Sequence, residues 1–359
     1  MRINLQKCFF TDKETLLVED GALRAFAYRF STGVEALRVE NEKGYFVILP
    51  FMGQQLWDFS IGGRELKMKT SIKEPVPNVK YLMTYGGFLY HCGISSFGVP
   101  DADHPQHGEI PNIAYDNAYL EINTDENGKY IAVGGTLDYD IAFVKKYHFT
   151  PECRLYSNAN KLRINVKLEN MKGAPTEYMY LCHINFRPFD GARLVYNVPR
   201  DREHVKVHKI VPDTLPLETQ KKLSSYMDKL EENPAIMDKV GNPEEIYLPE
   251  ICFALKYKPD ENNRGYTMQV IDGEGACYVN HPVDTLPVGV RWISRTPDED
   301  SMGMILPATS EHLGYYDSKA RGFVKELGAY ESLEFYMEVG FIDDAEAKKV
   351  EEKVNALIK

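Results

Sequence analysis

The stretch KLRINVKLEN (161–170) sets Leu162, Ile164, Val166 and Leu168 in strict alternation with Arg163, Asn165, Lys167 and Glu169. A period of two puts one set on a dry face and the other on a wet face, so the segment predicts a half-buried β-strand. Runs of the same kind surround it: KYIAVGGTLDYDIAFVKKYHF before it, EYMYLCHINF, ICFALKYKP, YTMQVI, ACYVNHP, VRWISR, MGMILP and SLEFYMEVGF after it. Turn formers such as DENGK, MKGAP, PDENNRG and DGEG punctuate them. Many antiparallel strands and few helices predict an all-β protein, a large sandwich or barrel.

Two segments predict peripheral helices. One spans about 214–231, with Leu223, Met227 and Leu230 at helical spacing. The other spans about 343–358, where Asp343 can cap the first turn and Val350, Val354 and Leu357 form a stripe. No Gly/Ser-rich or Pro-rich linker divides the 359 residues. The reading is therefore a single domain, 1–359, with a helical insertion and a closing C-terminal helix.

Composition excludes several classes of function. With 42 basic against 53 acidic residues the net charge is −11, which repels nucleic acid and anionic membrane. No apolar run approaches the roughly 18 residues of a membrane span, and the N-terminus lacks the apolar core of a signal peptide. The six cysteines form no CxxC pair, which fits reduced thiols and predicts a cytoplasmic protein. The cluster Arg64, Lys67, Lys69, Lys73 and Lys80 reads either as a solvated surface or as contacts to a phosphorylated or acidic substrate.

Few residues can carry chemistry. HPQHGEIPN (104–112) holds two histidines and a glutamate in a segment with too much Pro and Gly for a helix. His183 lies in the strand run YMYLCHINFRPF, on a face with Met179 and Leu181 and opposite Tyr178, Tyr180 and Cys182; Asn185 shares its face. A strand histidine can equally be a hydrogen-bonded core residue. Glu331, by alternation with Leu333, Phe335 and Met337, is an acid on an apolar face, which calls for a cavity rim or a function; exposure at the strand end is the competing reading. Trp57 and Trp292 are the two tryptophans, and Trp292 is flanked by Arg291; an indole beside a pocket can stack on a sugar.

QHGEIPN, CHINF and LGAYE, in that order along a β-rich chain, resemble the aldose 1-epimerase (galactose mutarotase-like) superfamily, in a branch of its own. The resemblance implies a β-supersandwich. It also implies sugar-site roles. His107-Gly108 matches the family's HG motif, and His183 matches its strand histidine, with Cys182 where the family has Asn. Glu331 matches the catalytic acid residue, although the preceding Pro-Gly is lost. Glu250 stands in place of the usual sugar-binding Asp, and MILPATSEHLG (304–314) is the counterpart of an LEP-like stretch. The family's sugar-binding arginine has no equivalent in YGGFLYHCGISSFG. His91 occupies roughly its place, and Arg64, Arg187 or Arg291 could assume the role.

By this resemblance Glu331 is the base at the anomeric hydroxyl and His183 the acid at the ring oxygen. Substrate contacts fall to His107, Glu250, Asn185, Trp292, Arg291, Arg64 and His91. No cofactor is required, the partner is a small sugar, and monomer and homodimer both stay open. Two alternatives use the same residues: a metal-dependent sugar isomerase with ligands among His91, His104, His107 and Glu109, and a carbohydrate-binding relative without turnover.

Overall fold

The computed structural model describes residues 1–78, 80–241 and 250–359. KLRINVKLEN is the strand Lys161–Asn170, its residues alternately half-buried and buried along its whole length. It pairs antiparallel with Lys145–Tyr156 on one side and Ser332–Ile342 on the other, in the register Val166↔Pro151 and Val166↔Phe335. These strands belong to a nine-stranded sheet whose far edges are Arg2–Asn4 and Arg193–Tyr196. A thirteen-stranded sheet packs against it, and the core between them is filled by residues such as Phe149, Ile164, Tyr180 and Met337.

The strand Thr176–Ile184 lies in the middle of the larger sheet, between Leu89–Ile94 and Asp300–Ala308. Beyond Asp300–Ala308 follow Val288–Arg295 and Ile251–Lys256. Alternation along these strands divides their side chains. Tyr180 points into the inter-sheet core, where it meets Phe149 and Phe335. Leu181, His183, Cys252, Val290, Trp292 and Leu306 point the other way and form the floor of a cavity. His183 and Trp292 thus sit on the outer face of the sheet.

Among the described residues three α-helices are present, all peripheral. The first, α1 (Leu217–Glu232), buries Leu223, Met227 and Leu230. The second, α2 (Tyr315–Ala320), is a short turn that the sequence pattern did not reveal. The last, α3 (Asp344–Leu357), begins at Asp343, whose carboxylate accepts the Glu346 N–H. Among the described residues no helix is long and apolar enough to cross a membrane.

Candidate functional site

HPQHGEIPN is a loop held against the end of strand Leu89–Ile94. His107 adopts a left-handed backbone (φ 61°), and Gly108 follows at φ 82°. A Cβ on Gly108 would lie 2.2 Å from the Ser96 carbonyl oxygen and 2.3 Å from that of Gly93. Only glycine lets the loop approach this closely. The approach is secured by Gly93 N–H donating to the His107 carbonyl at 3.0 Å and Ile110 N–H donating to the Gly93 carbonyl at 3.2 Å. The His-Gly pair therefore has a backbone reason: glycine admits the turn that aims the preceding imidazole at the sheet.

His107 and His183 meet edge to face with ring centroids 5.1 Å apart. Their protonation states follow from their partners. The Asn185 side-chain nitrogen donates to the Gly87 carbonyl at 3.0 Å, which fixes the amide with its oxygen toward His183. That oxygen also accepts the Tyr85 hydroxyl at 2.8 Å. His183 Nδ1, 2.8 Å from the same oxygen, must therefore carry the proton, leaving Nε2 as an acceptor. In His107 the assignment is reversed. Nδ1 accepts the Gly98 N–H at 3.4 Å, so Nε2 carries the proton and is the donor the ring can offer.

Burial keeps both rings neutral. It pushes the His183 pKa down to about 4, against the hydrogen bond to Asn185. It holds His107 well below the ordinary histidine range, assisted by His183 and His312. The neighbouring phenols Tyr81 and Tyr85 are raised by burial and stay protonated. One neutral imidazole that accepts and one that donates stand side by side.

The cavity they share has a volume of about 180 Å³. Trp292 forms part of its wall, its ring 5.6 Å from that of His183 and 6.3 Å from that of Tyr85. The indole N–H donates to the Glu250 carboxylate at 2.5 Å. Glu250 is exposed and stands at the mouth. Val290 and Trp292, two apart on the strand Val288–Arg295, share the face that lines the cavity, while Arg291 between them turns inward. Among the described lining residues there is no Lys or Arg, and Glu250 is the one carboxylate.

The structure thus brings His107, His183, Glu250 and Trp292 together, with Asn185 behind His183. Other expected residues lie elsewhere. Glu331 is exposed in the turn before its strand, where its carboxylate accepts the Gly328 N–H at 2.8 Å. That turn adjoins Thr176, which pairs with Leu327, and seven residues of extended strand, roughly 23 Å, separate Thr176 from His183. Glu331 does not line the cavity, so the acid–base pair expected with His183 is not assembled. His91 lies in the inter-sheet core, 2.7 Å from the Tyr180 hydroxyl and edge-on to Phe149. Arg64 pairs with Glu274 and lies over Phe189 and Phe341. Arg291 is fully buried, donating to the Met304 carbonyl and stacked on Tyr196. None of these three lines the cavity, and neither does Arg187, which faces Glu65.

The alternative metal ligands do not converge either. His104 pairs with Asp101 at 2.9 Å, and Glu109 accepts from Ser95 and Tyr147. Among the described residues no group of three or more His, Cys, Asp or Glu is placed to hold a metal ion. Tyr81, Tyr85, Cys252 and His312 line the cavity but were not singled out from the sequence. Segments far apart in the chain bring them in, Cys252 on the strand Ile251–Lys256 and the other three on turns and loops, and no local pattern marks them.

The model of a family described as a domain of unknown function, DUF4432, matches residues 31–209, a span that includes His107 and His183 but not Trp292. No curated protein matches the chain. Among solved structures, a "putative aldose 1-epimerase" from Klebsiella pneumoniae superposes with a TM-score of 0.80 at 18% identity, covering 96% of this chain and 92% of its own. Galactose mutarotase-like proteins from Clostridium acetobutylicum (TM-score 0.55, 14% identity, 90% and 100% covered) and Lactobacillus casei (0.54, 12%, 86% and 100%) follow the same path. With its two large antiparallel sheets and its cavity on the outer face of the larger one, the chain has the galactose mutarotase-like fold.

Proposed function

We propose that this protein is an aldose 1-epimerase acting on a neutral sugar. The observation that carries this reading is the pair of neutral imidazoles with opposite tautomers, His107 donating and His183 accepting, at one cavity beside Trp292. Mutarotation asks for this combination. The anomeric hydroxyl must lose a proton while the ring oxygen gains one, and both oxygens are bonded to C1.

In this reading Trp292 stacks on the sugar, as an aromatic ring does on an apolar face, and Glu250 accepts from hydroxyls at the mouth. His183 Nε2 takes the proton of the anomeric hydroxyl. The C1–ring oxygen bond breaks, its electron pair stays on the ring oxygen, and C1 becomes a carbonyl carbon. His107 Nε2–H holds the developing negative charge as a neutral donor. The His183 imidazolium then passes its proton to the ring oxygen. Rotation about C1–C2 and the reverse steps close the ring on its other face. General acid–base catalysis supplies about 10²–10⁴-fold in such a reaction.

A neutral substrate follows from the lining. An anionic sugar would meet Glu250 and two uncharged imidazoles, with no described cation to compensate. Of the basic cluster read from the sequence, Arg64 pairs with Glu274, Lys67 lies over Trp57 and Lys69 donates to the Pro297 carbonyl, and none of the five residues lines the cavity. Exchange NMR on a panel of neutral, phosphorylated and uronic aldoses tests the reading. Accelerated anomer interconversion is expected for at least one neutral aldose and for none of the anionic ones. Acceleration confined to an anionic sugar would remove the neutral-substrate assignment.

A further inference from the structure

His312 also faces the cavity, and its environment differs from that of the other two histidines. Its residue is 9% exposed, and among the described residues neither ring nitrogen has a hydrogen-bond partner. A buried imidazole left without partners is destabilising, because its lost hydration is not replaced. Its backbone is nevertheless fixed with care. The His312 carbonyl accepts the Val99 N–H at 3.0 Å, and a Cβ on Gly98 would lie 1.9 Å from that carbonyl oxygen. The N–H of Gly98 is the one that sets the His107 tautomer. One glycine therefore seats both imidazoles on the same wall.

Behind His312 the support is electrostatic. Its ring meets His208 edge-on at 4.6 Å, and His208 Nε2 lies 3.1 Å from the Glu311 carboxylate. Lys206 and Arg321 bind the same carboxylate. The segment is thus anchored around a side chain whose ring nitrogens find no partner among the described residues. Its two nitrogens, one donor and one acceptor in the neutral ring, match sugar hydroxyls, which do both.

We infer that His312 is a substrate-recognition residue of this cavity, its ring nitrogens completed by hydroxyl groups of the bound sugar away from the anomeric carbon. The inference rests on the sugar-site reading above but not on turnover. A residue kept for a ligand leaves a distinct signature: its removal weakens binding without weakening the fold, because an apolar ring of similar shape relieves an unpaired polar group.

The test measures binding of glucose, galactose, mannose, xylose, arabinose and fucose, with monodeoxy derivatives of whichever binds, to wild type, His312→Phe and His312→Gln, together with the melting temperature of each protein without sugar. His312→Phe is expected to raise Kd about tenfold, the worth of one to two hydrogen bonds, with an unchanged or higher melting temperature. His312→Gln, which keeps a donor and an acceptor, should recover part of the affinity. One monodeoxy sugar should bind wild type about as weakly as its parent binds His312→Phe. Unchanged affinity in His312→Phe overturns the inference, whether or not the melting temperature falls. Wild type that binds a sugar without accelerating its anomers removes the epimerase reading and leaves the inference to be judged on Kd. Binding of no aldose by the wild type overturns both.

Discussion

The side-chain oxygen of Asn185 lies 2.8 Å from His183 Nδ1, and the amide behind it is fixed by donation to the Gly87 carbonyl. The two residues are neighbours but one in sequence, and the arrangement decides which nitrogen of His183 is free to act. In the proposed mechanism Asn185 is a positioning residue.

Replacing Asn185 tests that role. Asn185→Leu removes the acceptor, and the rate of anomer exchange should fall about tenfold, the worth of one buried hydrogen bond. Asn185→Asp instead sets a carboxylate beside the ring and raises the His183 pKa from about 4. The acid limb of the kcat/KM profile should then move to higher pH. A profile that stays in place in Asn185→Asp would contradict the tautomer assignment.

The turn at Gly108 makes a second prediction. Gly108→Ala drives a Cβ to within 2.3 Å of two carbonyl oxygens and should cost about 2 kcal/mol or more, with loss of exchange activity because His107 is displaced. Gly63 has a similar φ of +77° but nothing within 4 Å of its Cβ position. Gly63→Ala should cost about 1 kcal/mol and leave activity alone. Urea unfolding of the two variants separates steric exclusion from simple backbone preference.

Stability should also fall in mild acid. Burial lowers the pKa of His91 and His281 to about 3 and of His183 and His312 to about 4, whereas in the unfolded chain a histidine titrates near 6.5. Between these values the unfolded chain binds more protons, so stability rises with pH across that window. The contribution is complete above about pH 6.5 and is lost progressively as pH falls toward 4. Calorimetric unfolding at pH 5 in buffers of different ionisation enthalpy should show net proton uptake. Equal enthalpies in all buffers would contradict the neutral, buried state of these rings.

The fold was legible because alternation is a local property. KLRINVKLEN forms the strand its pattern predicts, and the same rule placed Leu181 with His183 and Tyr180 opposite them. The helix boundaries moved only from 214–231 to Leu217–Glu232 and from 343–358 to Asp344–Leu357. Glu331 shows where the rule ends. The strand begins at Ser332, so alternation carried one residue too far assigned a face to a side chain that belongs to a turn. His91 and Arg291 lie on strands, but on their inward faces, and a continuous apolar run such as LYHCGI conceals which face meets the core. Tyr85, Cys252 and His312 meet only through tertiary structure.

The central claim is that His183 performs the proton transfer and that Glu331 takes no part. Exchange NMR of a neutral aldose with wild type, His183→Gln and Glu331→Gln tests it most directly. The account predicts that His183→Gln loses about 10²–10⁴-fold in exchange rate, while Glu331→Gln, whose amide oxygen can still accept the Gly328 N–H, exchanges anomers at the wild-type rate. Full activity in His183→Gln, or its loss in Glu331→Gln, would contradict the account.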